Sequence, residues 1–260
     1  MSREPYLSVT VAASADAVWH ALRDPDEILR WFGWEHPGIE DEIALIFHGD
    51  VPAGTELPEG LDPSIEVDDA ARTLRTGAHL IEVRDASGQA VVRVTRVIDV
   101  GDAGWEVFHA EIDHIEEGWL TFFQTLAFAA AHHPGQPRRT AFAMGLLPGA
   151  DPLATLGLAA VRDVPVGERY EATLATGDAL AGTVWFRSER QVGLTVDGWG
   201  DGLLVAAAQP GGTDESSSAM AIASTYALDD AAVAALETRW AAWWAENTVT
   251  PPTAETAAEA

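Results

Sequence analysis

Apolar and polar positions alternate from Tyr6 to Ala12 and then give way to Val18, Trp19 and Leu22 at helical spacing, behind Ser14, a good N-cap. A strand therefore feeds directly into a helix. Asp24-Pro25 ends that helix and opens another, because Asp24 can cap, Pro25 suits the first helical position and Glu27 completes a capping box. The second helix ends near Trp31-Phe32-Gly33. Ile39 to Phe47 reads as a strand, followed by an acidic loop rich in Pro and Gly from Gly49 to about Asp69. His79 to Arg84 and Ala90 to Ile98 flank Asp85-Ala86-Ser87-Gly88 and predict a hairpin. With those four residues as the loop, Arg84 pairs with Gln89. One face then carries Ile81, Val83, Ala90, Val92 and Val94 together with His79 and Arg96. A strand near Trp105 to Ala110 leads into a long helix whose Ile115, Trp119, Phe122, Phe123, Leu126 and Ala130 form an apolar stripe, ending at His132-His133-Pro134-Gly135.

The second half repeats this order of elements. Thr140 to Leu147 predicts a strand and Pro152 to Val161 a short helix. Strands follow near Tyr170 to Ala175, Thr183 to Ser188, Gln191 to Val196, Leu203 to Ala208 and Met220 to Tyr226. In the closing helix Asp229 is the N-cap, and Val233, Leu236, Trp240 and Trp244 share a face. The expected organisation is a domain over 1–134, a linker over 135–139, a second and degenerate domain over 140–247, and a disordered tail over 248–260. A single enlarged sheet is the alternative.

The stretch Val11-Ala12-Ala13-Ser14-Ala15-Asp16-Ala17-Val18-Trp19-His20-Ala21-Leu22-Arg23-Asp24-Pro25 resembles the entry pattern of bacterial homologues of heat-shock-ATPase activators, in the START/Bet v 1-like (SRPBCC) superfamily. Leu29-Arg30-Trp31-Phe32 matches that family's tryptophan after the second helix, and Glu117-Gly118-Trp119 looks like the start of its closing helix. The likeness brackets residues 1–134; over 140–246 it is one of element order alone. Between the brackets, Phe47-His48-Gly49-Asp50 leads into the acidic loop where the family has a tight glycine-rich hairpin. The resemblance implies an α+β helix-grip fold, expected in two tandem copies, in which a curved antiparallel sheet and a long helix enclose an apolar cavity. It implies no particular reaction.

Charge narrows the partners. Forty-one acidic residues against 15 basic ones, all arginine, leave a net charge of −26, so phosphate backbones and anionic lipid surfaces would repel the chain. Neither nucleic acid nor membrane is an expected partner. The absence of lysine removes Schiff-base chemistry and the phosphate-loop lysine; the absence of cysteine removes thiolate nucleophiles, disulfides and cysteine metal sites. No cofactor motif is present, so none is expected. An apolar fraction of 47% fits a folded globular chain, and no apolar run reaches the ~18 residues of a membrane span, so a cytoplasmic location is expected.

The residues placed near the cavity are Trp19, Trp31, His79, Ile81, Val92, Val94, Arg96, Trp119 and Phe123. For the tryptophans core packing is the default reading. His79 and Arg96 need partners if buried, and a structural carboxylate such as Glu106 or Asp113 serves as well as a ligand. His109, Glu111 and Asp113, with His114 beside them, are a weak metal candidate, since in a strand the first three project to one side. Against it, the spacing is not that of a zinc helix, and Asp113 is placed to cap the long helix. The glycine-rich Asp197 to Gly202 reads as a turn, and His132-His133 as helix-end dipole partners. The expected function is non-catalytic binding of a small hydrophobic molecule. A cyclase- or hydrolase-like enzyme using cavity His and Arg, and a protein-interaction module of the co-chaperone kind, are the alternatives.

Overall fold

In a computed structural model of the protein, residues 5–52, 54, 64–97, 105–209 and 215–249 are described, those of 105–113 as backbone only. The first strand, β1 (Leu7–Val11), is followed by α1 (Ala15–Arg23) and α2 (Pro25–Ile28). Both helices start where local chemistry dictates: Ser14 Oγ accepts from Ala17 N at 3.2 Å, and Asp24 Oδ1 accepts from Asp26 N and Glu27 N at 3.0 and 3.2 Å. The capping box is not closed, because Glu27 pairs with Arg30 and the Asp24 N–H stays with His20 O.

Ile39 to Phe47, read above as a strand, is helical. It forms α3 (Ile39–Ile43) and continues as a π-turn over Ala44–His48 that Gly49 closes at φ 75°. Ile39, Ile43 and Phe47 recur every fourth residue, and Glu40, Asp41 and Glu42 sit in the first turn, where carboxylates favour a helix N-terminus. The chain then forms β2 (Ile65–Asp68), β3 (Thr73–Thr76), β4 (His79–Ala86) and β5 (Gln89–Arg96). The β4–β5 hairpin is longer than expected: Ala86 pairs with Gln89, leaving Ser87-Gly88 as a two-residue loop with φ 54° and 91°, the signature of a tight hairpin turn. A two-residue change in register preserves parity, so Ile81, Val83, Ala90, Val92 and Val94 remain on His79's face.

The helix α4 spans Trp105–His132, so the strand expected near Trp105 is helical as well. Trp119, Phe123, Leu126, Ala127 and Phe128 are buried, whereas Ile115, assigned above to the stripe, is exposed. Then come β6 (Arg139–Pro148), α5 (Pro152–Thr155), a 3-10 turn (Ala159–Val161), β7 (Arg169–Thr173), β8 (Ala179–Arg187) and β9 (Gln191–Val196). A second 3-10 turn (Asp197–Trp199), β10 (Gly202–Ala208), β11 (Ser216–Thr225) and α6 (Asp230–Asn247) complete the order. Asp229 Oδ1 caps α6 by accepting from Ala232 N at 2.8 Å. The tail expected over 248–260 lies outside the described residues from 250 onward, as do residues 53 and 55–63 of the acidic loop.

The strands form two antiparallel sheets rather than one enlarged one, ordered β1-β5-β4-β3-β2 and β6-β11-β10-β9-β8-β7. In each, the opening strand lies beside the last strand, one or more short helices follow it, and a long helix closes the series. Both are therefore helix-grip units, and the chain carries two copies in tandem. By its contacts it divides into Met1–His109 with Gly118–Arg138, and Ala110–Glu117 with Arg139–Ala260. The second unit's core joins Leu156, Tyr170, Leu194 and Leu204 to Leu236, Trp240 and Trp244 of α6. A bulge between Val184 and Phe186 seats the Phe186 ring over Gly193, where a Cβ would come within 2.2 Å of it.

Candidate functional site

The inner face of the first sheet and the buried side of α4 are joined by aromatic rings. Trp31 stacks on Phe123 with centroids 5.7 Å apart, and Phe123 stacks on Trp119 at 5.3 Å. Phe47, delivered by the π-turn, meets Trp31 edge-on at 5.7 Å, Phe32 at 5.0 Å and Trp119 at 6.0 Å. Ile81, Val92 and Val94 are fully buried, with Ile81 paired to Val94 across the hairpin. Two of the tryptophans have committed N–H groups: Trp31 Nε1 donates to Ala21 O at 2.9 Å, and Trp19 Nε1 donates to Asp69 Oδ1 at 3.0 Å.

His79 sits at this face as expected, opposite Arg96 and 4% exposed, with its ring edge-on to Trp119 at 6.3 Å and to Tyr6 at 6.0 Å. His79 Nε2 is buried without a hydrogen-bond partner among the described residues; the side chains of Glu106 and Asp113, the carboxylates expected to serve it, lie outside them. Trp119 Nε1 and His48 Nε2 are in the same condition. Three such atoms in one small unit are unusual, since buried polar groups are almost always satisfied and an orphan costs about 1–3 kcal/mol.

Electrostatics fix the state of the two imidazoles. Burial pushes the His79 pKa from 6.5 down to about 4, with the Arg96 charge adding to the effect, so the ring is neutral at neutral pH. Burial also lowers His48, helped by Arg23 and opposed by Asp50. Arg23 belongs to the same local structure, as its Nη1 donates to Phe47 O at 2.5 Å and holds the end of the π-turn. A neutral imidazole offers one donor and one acceptor, and an indole offers a donor only. Together they suit an oxygen atom, such as a carbonyl or phenol.

A cavity of about 160 Å³ adjoins Trp31, lined by Ala17, Val18, Ala21, Leu126, Ala130 and His133 among others. Of the residues proposed from the sequence for a cavity, only Trp31 lines it. In the second unit a larger cavity of about 320 Å³ lies between the turn at Ala159–Val161 and the β8–β9 hairpin. Sequence reasoning missed it, because its lining comes from stretches read separately as a short helix and two strands.

The weak metal candidate loses its premise, since His109, Glu111 and Asp113 fall on the backbone of α4 and not on a strand; their side chains lie outside the described residues. Among the described residues no group of three His, Cys, Asp or Glu is arranged to hold a metal. No described helix is long and apolar enough to cross a membrane.

Fold and interior thus define the class, a tandem helix-grip protein. No family model matches the chain, and no curated protein does, so the likeness to heat-shock-ATPase activators rests on the residues quoted for it. Among solved structures, the chain aligns with DynU16, a putative protein in the dynemicin biosynthetic locus, at 15% identity over 92% of this chain and 93% of that one, with a TM-score of 0.30. It aligns with BexL, a di-domain ARO/CYC from the BE-7585A biosynthetic pathway, at 13% identity over 97% and 100%, with a TM-score of 0.32. StfQ, a di-domain ARO/CYC from the steffimycin biosynthetic pathway, aligns at 13% identity over 92% and 91%, with a TM-score of 0.29. Superposition this loose transfers nothing to the chain, whose fold rests on its own strand order and register.

Proposed function

We propose that the first unit binds a small, flat, hydrophobic molecule bearing a carbonyl or phenolic oxygen, between its sheet and α4. The observation that carries this reading is a pair of buried atoms without partners among the described residues, His79 Nε2 and Trp119 Nε1, on rings 6.3 Å apart beside the Trp31, Phe47 and Phe123 wall. A ligand oxygen meeting either atom recovers the cost of leaving it dry, and the ring wall supplies the apolar remainder of the affinity. Holding is favoured over proton transfer: a histidine with a pKa of about 4 is far from the range in which a general base works well at neutral pH.

The test is a comparison of 2-naphthol with naphthalene, followed through the methyl NMR signals of Ile81, Val92 and Val94. The phenol should bind about 3- to 10-fold more tightly, the range of a neutral hydrogen bond. His79→Phe and Trp119→Phe together should erase that preference. Equal affinities in the natural protein, or a preference that survives both substitutions, would overturn the reading.

A further inference from the structure

The second unit's 320 Å³ cavity is a binding site of a different kind, and we infer that it takes an amphipathic organic anion, with its acidic group on Arg187 and its apolar part on Leu153, Leu158, Val161 and Val192. Three of those four floor residues are buried, so the base of the cavity is apolar and pre-formed. The rim is polar, carrying Arg162, Arg187, Ser188, Glu189 and Gln191.

What selects an anion is the way the rim charges are committed. The Arg162 guanidinium is neutralised by Asp151, Nη2 to Oδ2 at 2.5 Å. The Gln191 amide donates to Glu117 O at 2.8 Å and to Glu117 Oε2. Arg187 is different: its Nη2 donates to Val161 O at 2.8 Å and Val164 O at 2.9 Å, its Nη1 to Arg162 O, and it meets no carboxylate among the described residues. Those carbonyls lie at the end of the 3-10 turn and just beyond it, so Arg187 pins the segment that walls the cavity and leaves two of its five N–H donors over. In a chain with 41 acidic side chains, ion pairs hold Arg30, Arg72, Arg75, Arg84, Arg139, Arg162, Arg169 and Arg239. A cavity-lining arginine left with neutral partners is an anchor for a planar anion, the geometry guanidinium recognises best. Glu189 opposes it, but from the exposed hairpin turn, where water screens its charge.

Decanoate and decanol serve as probes of equal length and opposite charge state, followed by the methyl NMR signals of Leu153, Leu158, Val161 and Val192. Decanoate should bind here about tenfold more tightly than decanol, the advantage of a charge-assisted pair at a partly exposed site. Arg187→Gln should reduce the ratio to near one, and Glu189→Gln should increase it. The comparison in the natural protein needs no variant, so a poorly folded Arg187→Gln does not leave the question open. Equal affinity of the two probes, or methyl shifts confined to Ile81, Val92 and Val94, would overturn the inference. Because the two units report through different methyl groups, failure here is distinct from failure of the first-unit reading.

Discussion

The buried neutral state of His79 makes part of the protein's loss of stability in acid the work of one side chain. In the unfolded chain its pKa is the ordinary 6.5, and in the folded protein burial and Arg96 lower it to about 4. Below pH 6.5 the unfolded state therefore binds a proton that the folded state refuses, and stability falls as pH falls. The contribution is complete above pH 6.5 and lost progressively towards pH 4, reaching about 3 kcal/mol, with a slope of at most about 1.4 kcal/mol per pH unit. Many carboxylates titrate in the lower part of that window, so the measurement is a difference. Natural protein and His79→Leu are unfolded in urea between pH 7.5 and 4.5, with tryptophan fluorescence as the signal. The variant should be as stable as the natural protein or more so at pH 7.5, because it removes an orphaned buried nitrogen, and its relative advantage should grow as the pH drops. The His79 ring proton in NMR is the direct check and should not titrate between pH 5.5 and 8. An apparent pKa of 6 or above, or a stability difference that does not change with pH, would refute the reasoning.

Two further substitutions test the packing argument. Arg138 is 8% exposed and its Nη groups donate to Trp31 O at 3.1 Å, Phe32 O at 2.7 Å and Gly33 O at 3.0 Å, so Arg138→Ala should cost about 3 kcal/mol and speed amide exchange in the turn after α2. In the second unit a Cβ on Gly182 would lie 1.9 Å from Thr195 O, backbone that cannot swing aside, so Gly182→Ala should cost about 3 kcal/mol in thermal unfolding.

Where local hydrogen bonding decides structure, the sequence was a good guide. Ser14, Asp24 and Asp229 cap the helices they announce, and Gln191–Val196 is a strand with the bounds its alternation suggests. The hairpin faces survived an incorrect register because a shift of two leaves each side chain on its own face. Errors came where one pattern serves two structures. Ile43-Ala44-Leu45-Ile46-Phe47 suits a buried strand or a helix equally, and only the four-residue spacing from Ile39 to Phe47 argued for the helix that forms. Ile65–Asp68 was lost in the reading of an acidic loop, and Thr73–Thr76 went unassigned because its polar residues dilute the signal to Leu74 alone. Arg138 sits in a Pro-, Gly- and Gln-rich stretch with the composition of a linker, and nothing local shows that three carbonyls await it. Of the candidate site, the His79 and Trp119 faces were legible; that their polar atoms lack partners was not, because satisfaction is a property of the whole fold.

The two units share one topology, and the tryptophans on their closing helices show how differently it has been used. Trp240 on α6 is buried, and its Nε1 donates to Asp178 Oδ2 at 3.0 Å; the same carboxylate takes Arg239 Nη2 at 2.6 Å and Thr176 Oγ1 at 2.6 Å. That indole belongs to a compensated network inside the core, and the room in its unit lies away from it, at the wall pinned by Arg187. Trp119 on α4 is just as buried, yet it has rings for neighbours and no acceptor for its N–H among the described residues. A core selected for stability alone would have placed an acceptor there, as Asp178 does for Trp240, or a phenylalanine. A donor without an acceptor lowers the stability of the empty unit, and on the function proposed above it raises the affinity for a ligand that brings an oxygen to it. The difference between the two tryptophans, more than the fold they share, is therefore the argument for a ligand in the first unit's interior.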